Sequence, residues 1–388
     1  MSLGLSEEHR MIQQMAYDFA EKEIIPIAEQ IDNEDNFELV RCLLKKMGQL
    51  GWLGISIPEE YGGSNAGYLA AVLVAEQVGR GSAGVADSYV VQSNLVIDNL
   101  SRNGTSWQKR KFLKPLCTCE HIGALGITEP NAGSDAMGMN LRAVRDDDCY
   151  VLNGSKIFIT NGPEVDIQLI YAKTDIAKGA KGISAFIVER GFSGFSMGRR
   201  IKKMGHKGAP FGEIVFENCR VPIKNLLGEE NGGARVVMSG LDRERITWTA
   251  PALGLATAAF TAAVKYSKER VQFGRSICGF QMIQERIADM AVEIEAGRLL
   301  LYNTAAMADE GKNISLQSSI VKLYVSEMVE RITSKALNIF GGYGYTKEFP
   351  LERYFRDAKA FTIGAGTSDI QRIIISRHFL DAKRNSMW

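Results

Sequence analysis

The feature that most constrains this chain is a double change of hydrophobic period. From Leu5 to about Cys117, apolar residues recur at steps of three and four, as in Met11, Met15 and Phe19 and later Leu39, Leu43, Leu44, Met47 and Leu50. That spacing lines one face of a helix. After Glu120 it gives way to short β-branched and aromatic runs of strand length, among them Ile167–Lys173, Ile183–Val188 and Glu213–Phe216, which read as an antiparallel β-domain. From Asn231-Gly232-Gly233 the helical step returns and runs through Val321, Val325, Met328, Ile332, Ala336 and Ile339. The plan is α, then β, then α, with domains expected at 1–120, 121–230 and 231–388.

Local signals refine that plan. Pro26, Ile57-Pro58 with Tyr61-Gly62-Gly63, and the stretch Gly79–Gly84 divide the first segment into several helices. Asn153-Gly154, between Cys149–Leu152 and Lys156–Thr160, predicts a hairpin with a type I′ turn, because both residues tolerate positive φ. The Ala-, Gly- and Thr-rich stretch Ala250–Ala263 predicts a helix that lies close against a neighbour or a flat ligand.

Composition narrows the function. Lys and Arg number 46 against 45 Asp and Glu, for a net charge of +1, and the two signs interleave, so no nucleic-acid partner is expected. Hydrophobic residues at 45% suffice for large cores, and disorder is excluded. The six cysteines are scattered, as in reduced thiols of an intracellular protein. None of the four histidines has metal-ligand spacing. The N-terminus lacks the look of a signal or transit peptide, and no run of eighteen apolar residues occurs. A cytoplasmic protein without membrane insertion is expected, or a mitochondrial-matrix protein if the chain is a processed form.

Five stretches have the residues for chemistry. Ile127–Asp135 offers hydroxyls, turn residues and glycine, donors that suit a polar heterocycle or phosphate; read alone, a plain turn is the simpler account. Arg270-Val271-Gln272-Phe273-Gly274 carries an arginine able to grip a diphosphate, although helix ends often carry Arg and Gly for structural reasons. Phe340–Tyr345 is glycine-rich without being a dinucleotide fingerprint or P-loop, which disfavours a Rossmann domain; it is a helix cap or a backbone platform for a cofactor. Ile363–Asp369 precedes a helix, where capping or an anion site would both fit. Asp242-Arg243-Glu244-Arg245 opens a long helix, as a solvated end or as the site of a general base.

Together, and in this order, the stretches resemble the acyl-CoA dehydrogenase family over almost the whole chain. The matching motifs are Ile127–Asp135, Leu152–Gly162, Glu213–Pro222, Arg270–Gly274, Phe340–Tyr345 and Gly366–Arg372. The resemblance implies an α+β fold of an N-terminal helical domain, a central β-barrel-like domain and a C-terminal four-helix bundle. It also implies FAD. Thr128 and Thr160 match hydroxyls at the isoalloxazine edge, Phe158 stands where many members have tryptophan against the ring, and Ser134 matches a serine near the flavin and the acyl tether. Arg270 and Phe273 match residues that grip diphosphate and adenosine from a neighbouring subunit, with Gln281, Gly341 and Gly342 on the same surface. Thr367 and Asp369 match cap positions beside the cofactor, Asp369 replacing the more usual amide or Glu. A homotetramer built as a dimer of dimers and an electron-transfer flavoprotein as acceptor are implied.

The family reaction is α,β-desaturation of an acyl thioester: a carboxylate removes the α-proton while the β-hydrogen leaves as hydride to flavin N5. Most members place that carboxylate just before a Gly-Thr pair, where this chain has Ala365. A minority, isovaleryl-CoA dehydrogenases among them, carry it on the first long C-terminal helix, followed by Arg. Glu244-Arg245 stands at that place, so Glu244 is the expected base and Arg245 the expected contact to the thioester's pantetheine or phosphate end. The small Gly364-Ala365 pair should free space for a short branched or cyclic acyl group. Trp248, bulkier than the aliphatic residue of isovaleryl-CoA dehydrogenases, either shortens that pocket or belongs to the bundle core. Acyl-CoA is the expected substrate, in fatty-acid or amino-acid catabolism. An acyl or prolyl group on a carrier protein, oxidase rather than dehydrogenase chemistry, and a non-catalytic flavin- or acyl-binding protein are the alternatives.

Overall fold

The computed structural model describes residues 5–380. The first part is helical: α1 (Glu7–Phe19), α2 (Ala28–Glu34), α3 (Phe37–Gln49), α4 (Gly67–Gly81), α5 (Ala83–Val90), α6 (Asn99–Asn103) and α7 (Ser106–Cys117). Its breaks fall where the punctuation predicts. Pro26 lies in a tight turn after α1, the Pro58 to Gly63 stretch lies in the loop before α4, and Ser82 ends α4 and caps α5 through Val85 N. Thr105 and Gln108 form a reciprocal capping box at the start of α7.

The middle strands are β1 (Gly123–Gly126), β2 (Arg142–Asp146), β3 (Cys149–Thr160), β4 (Ile167–Lys173), β5 (Ile183–Glu189), β6 (Phe195–Arg200), β7 (Phe211–Pro222) and β8 (Leu226–Leu227). They form one sheet in the order β6-β7-β3-β2-β4-β5-β8, with β1 beside β4. Most pairs are antiparallel, but β1–β4 and β2–β4 are parallel, so the sheet is mixed. It encloses its own core, in which Tyr150 meets Phe186 edge to face at 5.0 Å and Phe195 stacks on Phe216 at 5.2 Å.

The Asn153-Gly154 hairpin is not there. β3 runs unbroken through both residues, and the turn is Asp147-Asp148, with Asp147 at φ 49°. Asn153-Gly154 instead forms a bulge against β7, where Gly154 takes φ 136° and the Asn153 carboxamide pairs with Asn218. The conformational freedom read as a turn bends a long strand.

The last part holds α8 (Gly233–Glu269), the two-stranded β9 (Val271–Gln272) and β10 (Arg275–Ser276), α9 (Gln281–Asp309), α10 (Ser315–Phe340), α11 (Leu351–Phe361) and α12 (Ser368–Leu380). α8 begins at Gly233, so the Asp242–Arg245 cluster lies well inside the helix rather than at its start. Its small residues allow the expected close approach. A Cβ on Gly79 of α4 would lie 2.3 Å from Pro251 Cα, and one on Gly254 would lie 1.9 Å from the Glu76 carbonyl oxygen. α8 has the length and mean hydropathy to cross a bilayer, but 67% of its most apolar window is buried inside the protein. α4, α5, α9, α10 and α11 all pack against it.

Candidate active site

Glu244 projects from α8 into a cleft that it shares with Leu125 and Ile127 at the end of β1, Tyr171 of β4, and Asn99 and Arg102 of α6. All three parts of the chain therefore meet at this carboxylate. Asn99 donates to the buried Tyr171 hydroxyl at 3.1 Å, and Arg102 is held by Asp98 and Ser239 at 2.8 Å each. The cleft wall is thus fixed before any ligand arrives. The Glu244 side chain is half-buried and makes no hydrogen bond among the described residues. Burial pushes its carboxyl up to about 7, against the opposing pull of Arg245 and Lys322. Its open side faces the cleft rather than bulk water, which is why burial prevails. A carboxylate so raised and left unbonded is suited to taking a proton near neutral pH.

Arg245 lies next to Glu244 on α8. The residue is buried, and its guanidinium pairs with Asp242 at 2.7 Å while its Nε has no partner. From there its charge acts on Glu244 through its field. Trp248 packs against Gly364. A Cβ on Gly364 would lie 2.7 Å from Trp248 Cζ2, so the glycine leaves room for the indole. Trp248 is held by the rings of Phe361 and His206 at 5.4 and 5.9 Å. It is half-buried, and its N–H finds no partner. Ala365 adopts φ 54°, a left-handed backbone that a β-carbon disfavours.

The Thr128 loop is tied to the sheet by a buried latch. Lys156 of β3 donates to the Ile127 carbonyl and to Glu129, each at 2.9 Å, and Glu129 also accepts from Asn140 N at 2.6 Å and Leu141 N at 2.9 Å. Beyond Lys156, an irregularity in β3 gives Phe158 φ 63° and turns its ring outward, 53% exposed, stacked on Phe211 at 5.7 Å. Thr160 follows two residues on, and Ile157 N bonds the Thr128 carbonyl at 2.9 Å, which brings the Thr128 and Phe158 segments together. Ser134 is exposed on the same loop. At the start of α12, Thr367 Oγ accepts from Ile370 N at 3.3 Å and Asp369 is exposed. Ser368 Oγ and Gln371 Oε1 are buried without partners. The outward Phe158 ring with the adjoining Thr128 and Thr160 segments fits a planar, polar-edged ring system such as a flavin; no hydrogen bond or ring contact joins the start of α12 to them among the described residues.

A second cluster stands apart. The β9–β10 turn, Phe273 at φ 52° and Gly274 at φ 76°, lifts the Phe273 ring to 93% exposure. Arg270 lies over the Tyr343 ring at 5.6 Å, next to Gly341 and Gly342, whose α-carbons face open space. Gln281 is exposed at the start of α9. No contact joins these residues to the Glu244 cleft among the described residues. Sequence reasoning missed Lys322, Arg102, Asn99 and Tyr171. The signal for Lys322 was the run Ser318, Ser319, Lys322, Ser326 on the buried side of α10, polar residues where a core face should be apolar.

Residues 6–120, 124–219 and 231–380 match the N-terminal, middle and C-terminal domain families of acyl-CoA dehydrogenase, respectively. The mitochondrial isovaleryl-CoA dehydrogenase of Pongo abelii is 44% identical over 97% of this chain and 89% of its own length. A chain solved in work on the electron transferring flavoprotein of Acidaminococcus fermentans and flavin-based electron bifurcation superposes with a TM-score of 0.95 at 44% identity, covering 98% of this chain and 100% of that one. PigA with FAD and proline gives 0.94 at 32% identity, covering 98% and 99%. The prolyl acyl carrier protein oxidase AnaB gives 0.94 at 31%, covering 97% and 100%. The motifs, the three-part fold and the three matched domains lead to one conclusion: the chain belongs to the acyl-CoA dehydrogenase family of flavin-dependent oxidoreductases.

Proposed function

We propose that the protein desaturates a short branched or cyclic acyl-CoA at the α,β position, with Glu244 removing the α-proton. The observation that carries this reading is the single unbonded carboxylate in the cleft, raised by burial to about 7, in a chain whose usual base position is Ala365. Near neutral pH such a group is ionised often enough to act, yet basic enough to take a weakly acidic proton. Trp248, braced by Phe361 and His206, bounds the acyl end and selects against long chains. FAD, when bound, supplies the acceptor for the β-hydride. Thr128, Phe158, Thr160, Ser134, Thr367 and Asp369 are the residues we assign to its ring end. Arg270, Phe273, Gln281, Gly341 and Gly342 are assigned to the adenosine end bound by a neighbouring subunit. The projecting Phe273 ring supports a homotetramer, and an electron-transfer flavoprotein is the proposed acceptor.

A second reading has one observation in its favour, the likeness to a prolyl carrier-protein oxidase. One experiment separates the two. The purified FAD-loaded protein is mixed anaerobically with branched, cyclic and straight acyl-CoAs and with an acyl-loaded carrier protein, and loss of yellow colour is followed. Bleaching by a short branched or cyclic acyl-CoA is expected. Bleaching only by the carrier-bound group would transfer the assignment, and bleaching by none would defeat both readings.

A further inference from the structure

α8 and α10 pack along their length, and two contacts fix their register. Ser318 donates to Asp242 at 3.4 Å near their starts, and Phe340 stacks on Tyr266 at 4.0 Å near their ends. The two contacts have nearly the same sequence offset, so the helices run parallel and in step. By that register Lys322 of α10 falls beside the Glu244–Trp248 turn of α8. Lys322 has no exposed surface, and its ammonium has no hydrogen-bond partner. A lysine is almost never buried this way without a partner, because the charge loses its hydration with nothing in return. Its α10 neighbour one turn on, Ser326, has an equally unpartnered hydroxyl. Neither is explained by packing.

We propose that Lys322 is a positioning residue for proton removal, a buried cation behind Glu244 that keeps the carboxylate ionised at neutral pH without bonding to it. The inference rests on Glu244 being the base. A direct ion pair would hold the carboxylate too tightly for it to accept a proton; no cation at all would leave a desolvated carboxylate protonated and idle. A charge acting at longer range meets both demands. Lys322 is itself pushed down to about 8, first by burial and then by Arg245, with Glu244 and Glu327 opposing. That is still above Glu244 at about 7, so the lysine is mostly charged where the carboxyl is half ionised. The other charged or titratable groups facing Glu244 are Arg245, Asp242 and Arg243 on its own helix, Tyr171 on β4, and Arg102 of α6, which is already paired with Asp98. Arg245 is paired to Asp242, and Arg243 donates to the Ser239 carbonyl and lies over the Tyr68 ring. Among the described residues facing Glu244, Lys322 is the cation with neither a hydrogen-bond nor an ion-pair partner.

The test is the pH dependence of kcat/KM for FAD-loaded wild type, Lys322→Met, Lys322→Gln and Lys322→Arg, beside Glu244→Gln. Removing the charge should move the acid limb upward by about one pH unit, a roughly tenfold loss of ionised base below the limb. Lys322→Arg should restore the wild-type limb. Infrared difference titration of the carboxyl, with Glu244→Gln identifying the band, reads the same shift without turnover. A limb and a carboxyl band that stay at the wild-type pH in both neutral variants would overturn the inference, even if their rates fell. If Lys322→Met does not fold, Lys322→Gln and the infrared titration decide. Retained activity in Glu244→Gln would instead refute the assignment of the base.

Discussion

Gly364→Ala is a one-atom perturbation with a defined collision. The new Cβ would lie 2.7, 3.2 and 3.4 Å from Cζ2, Cε2 and Cη2 of Trp248, where carbon atoms prefer about 3.5–4.0 Å. The indole must retreat by roughly 1 Å on that contact preference, and it is braced from behind by Phe361 and His206. Overpacking of this kind costs about 1–3 kcal/mol. Because Trp248 is proposed to bound the acyl group, much of that cost should appear in the transition state: kcat/KM for the preferred short acyl thioester should fall by about 5- to 100-fold. Trp248→Leu should relieve the collision and shift preference toward larger acyl groups. A double-mutant cycle on kcat/KM, repeated on the melting temperature, should show a coupling of at least about 1 kcal/mol. If the two substitutions add within about 0.5 kcal/mol, or if Trp248→Leu leaves the ratio of small to large substrates unchanged, Trp248 does not shape the site as argued.

Other predictions follow from the same geometry. Lys156→Met strands Glu129 in the interior, and breaking a buried pair costs about 3–5 kcal/mol; denaturant unfolding should show that loss. Glu244 should cost stability at neutral and alkaline pH. Its folded carboxyl sits at about 7 against an ordinary 4.5, so between those values the folded state binds more protons than the unfolded state and the wild type weakens as pH rises. Glu244→Gln should therefore be more stable than wild type at pH ~8, by roughly 1–3 kcal/mol after allowing for the half-open cleft, with the gap closing near pH ~4.5; melting curves at both pH values check it. Phe273→Ala removes a ring that is 93% exposed in the single chain, so subunit stability should change by less than about 0.5 kcal/mol. Its flavin-to-protein absorbance ratio and its assembled mass by light scattering should both drop if the ring serves a neighbouring subunit.

The α–β–α order was legible because it depends on local period, and local period is what burial on one face demands. Breaks at Pro26, Pro58 and the Gly79–Gly84 stretch were legible for the same reason. Asn153-Gly154 was not, since a positive φ serves a strand bulge as well as a turn, and only the partner β7 decides between them. The site divides along the same line. Glu244 stood out because a carboxylate missing at Ala365 drew attention to one on α8. Lys322 did not, because its register against α8 depends on contacts some seventy-five residues apart in sequence, such as Asp242–Ser318. Trp248 could be recognised as bulky, but that it fills the space left by Gly364 belongs to the folded chain alone. Arg245 was legible as a motif residue, but its burial against Asp242 likewise belongs to the folded chain.

The central claim is that Glu244 removes the α-proton, and proton removal can be observed without oxidation. An acyl-CoA analogue whose β-carbon carries no transferable hydrogen is incubated in D₂O with FAD-loaded wild type and with Glu244→Gln, and α-deuterium incorporation is read by mass spectrometry. The wild type should exchange the α-proton readily, while Glu244→Gln, retaining FAD and the analogue, should lose exchange by at least about 10²-fold, the usual scale for loss of a general base. Equal exchange rates in the two proteins would place the base elsewhere and contradict the account.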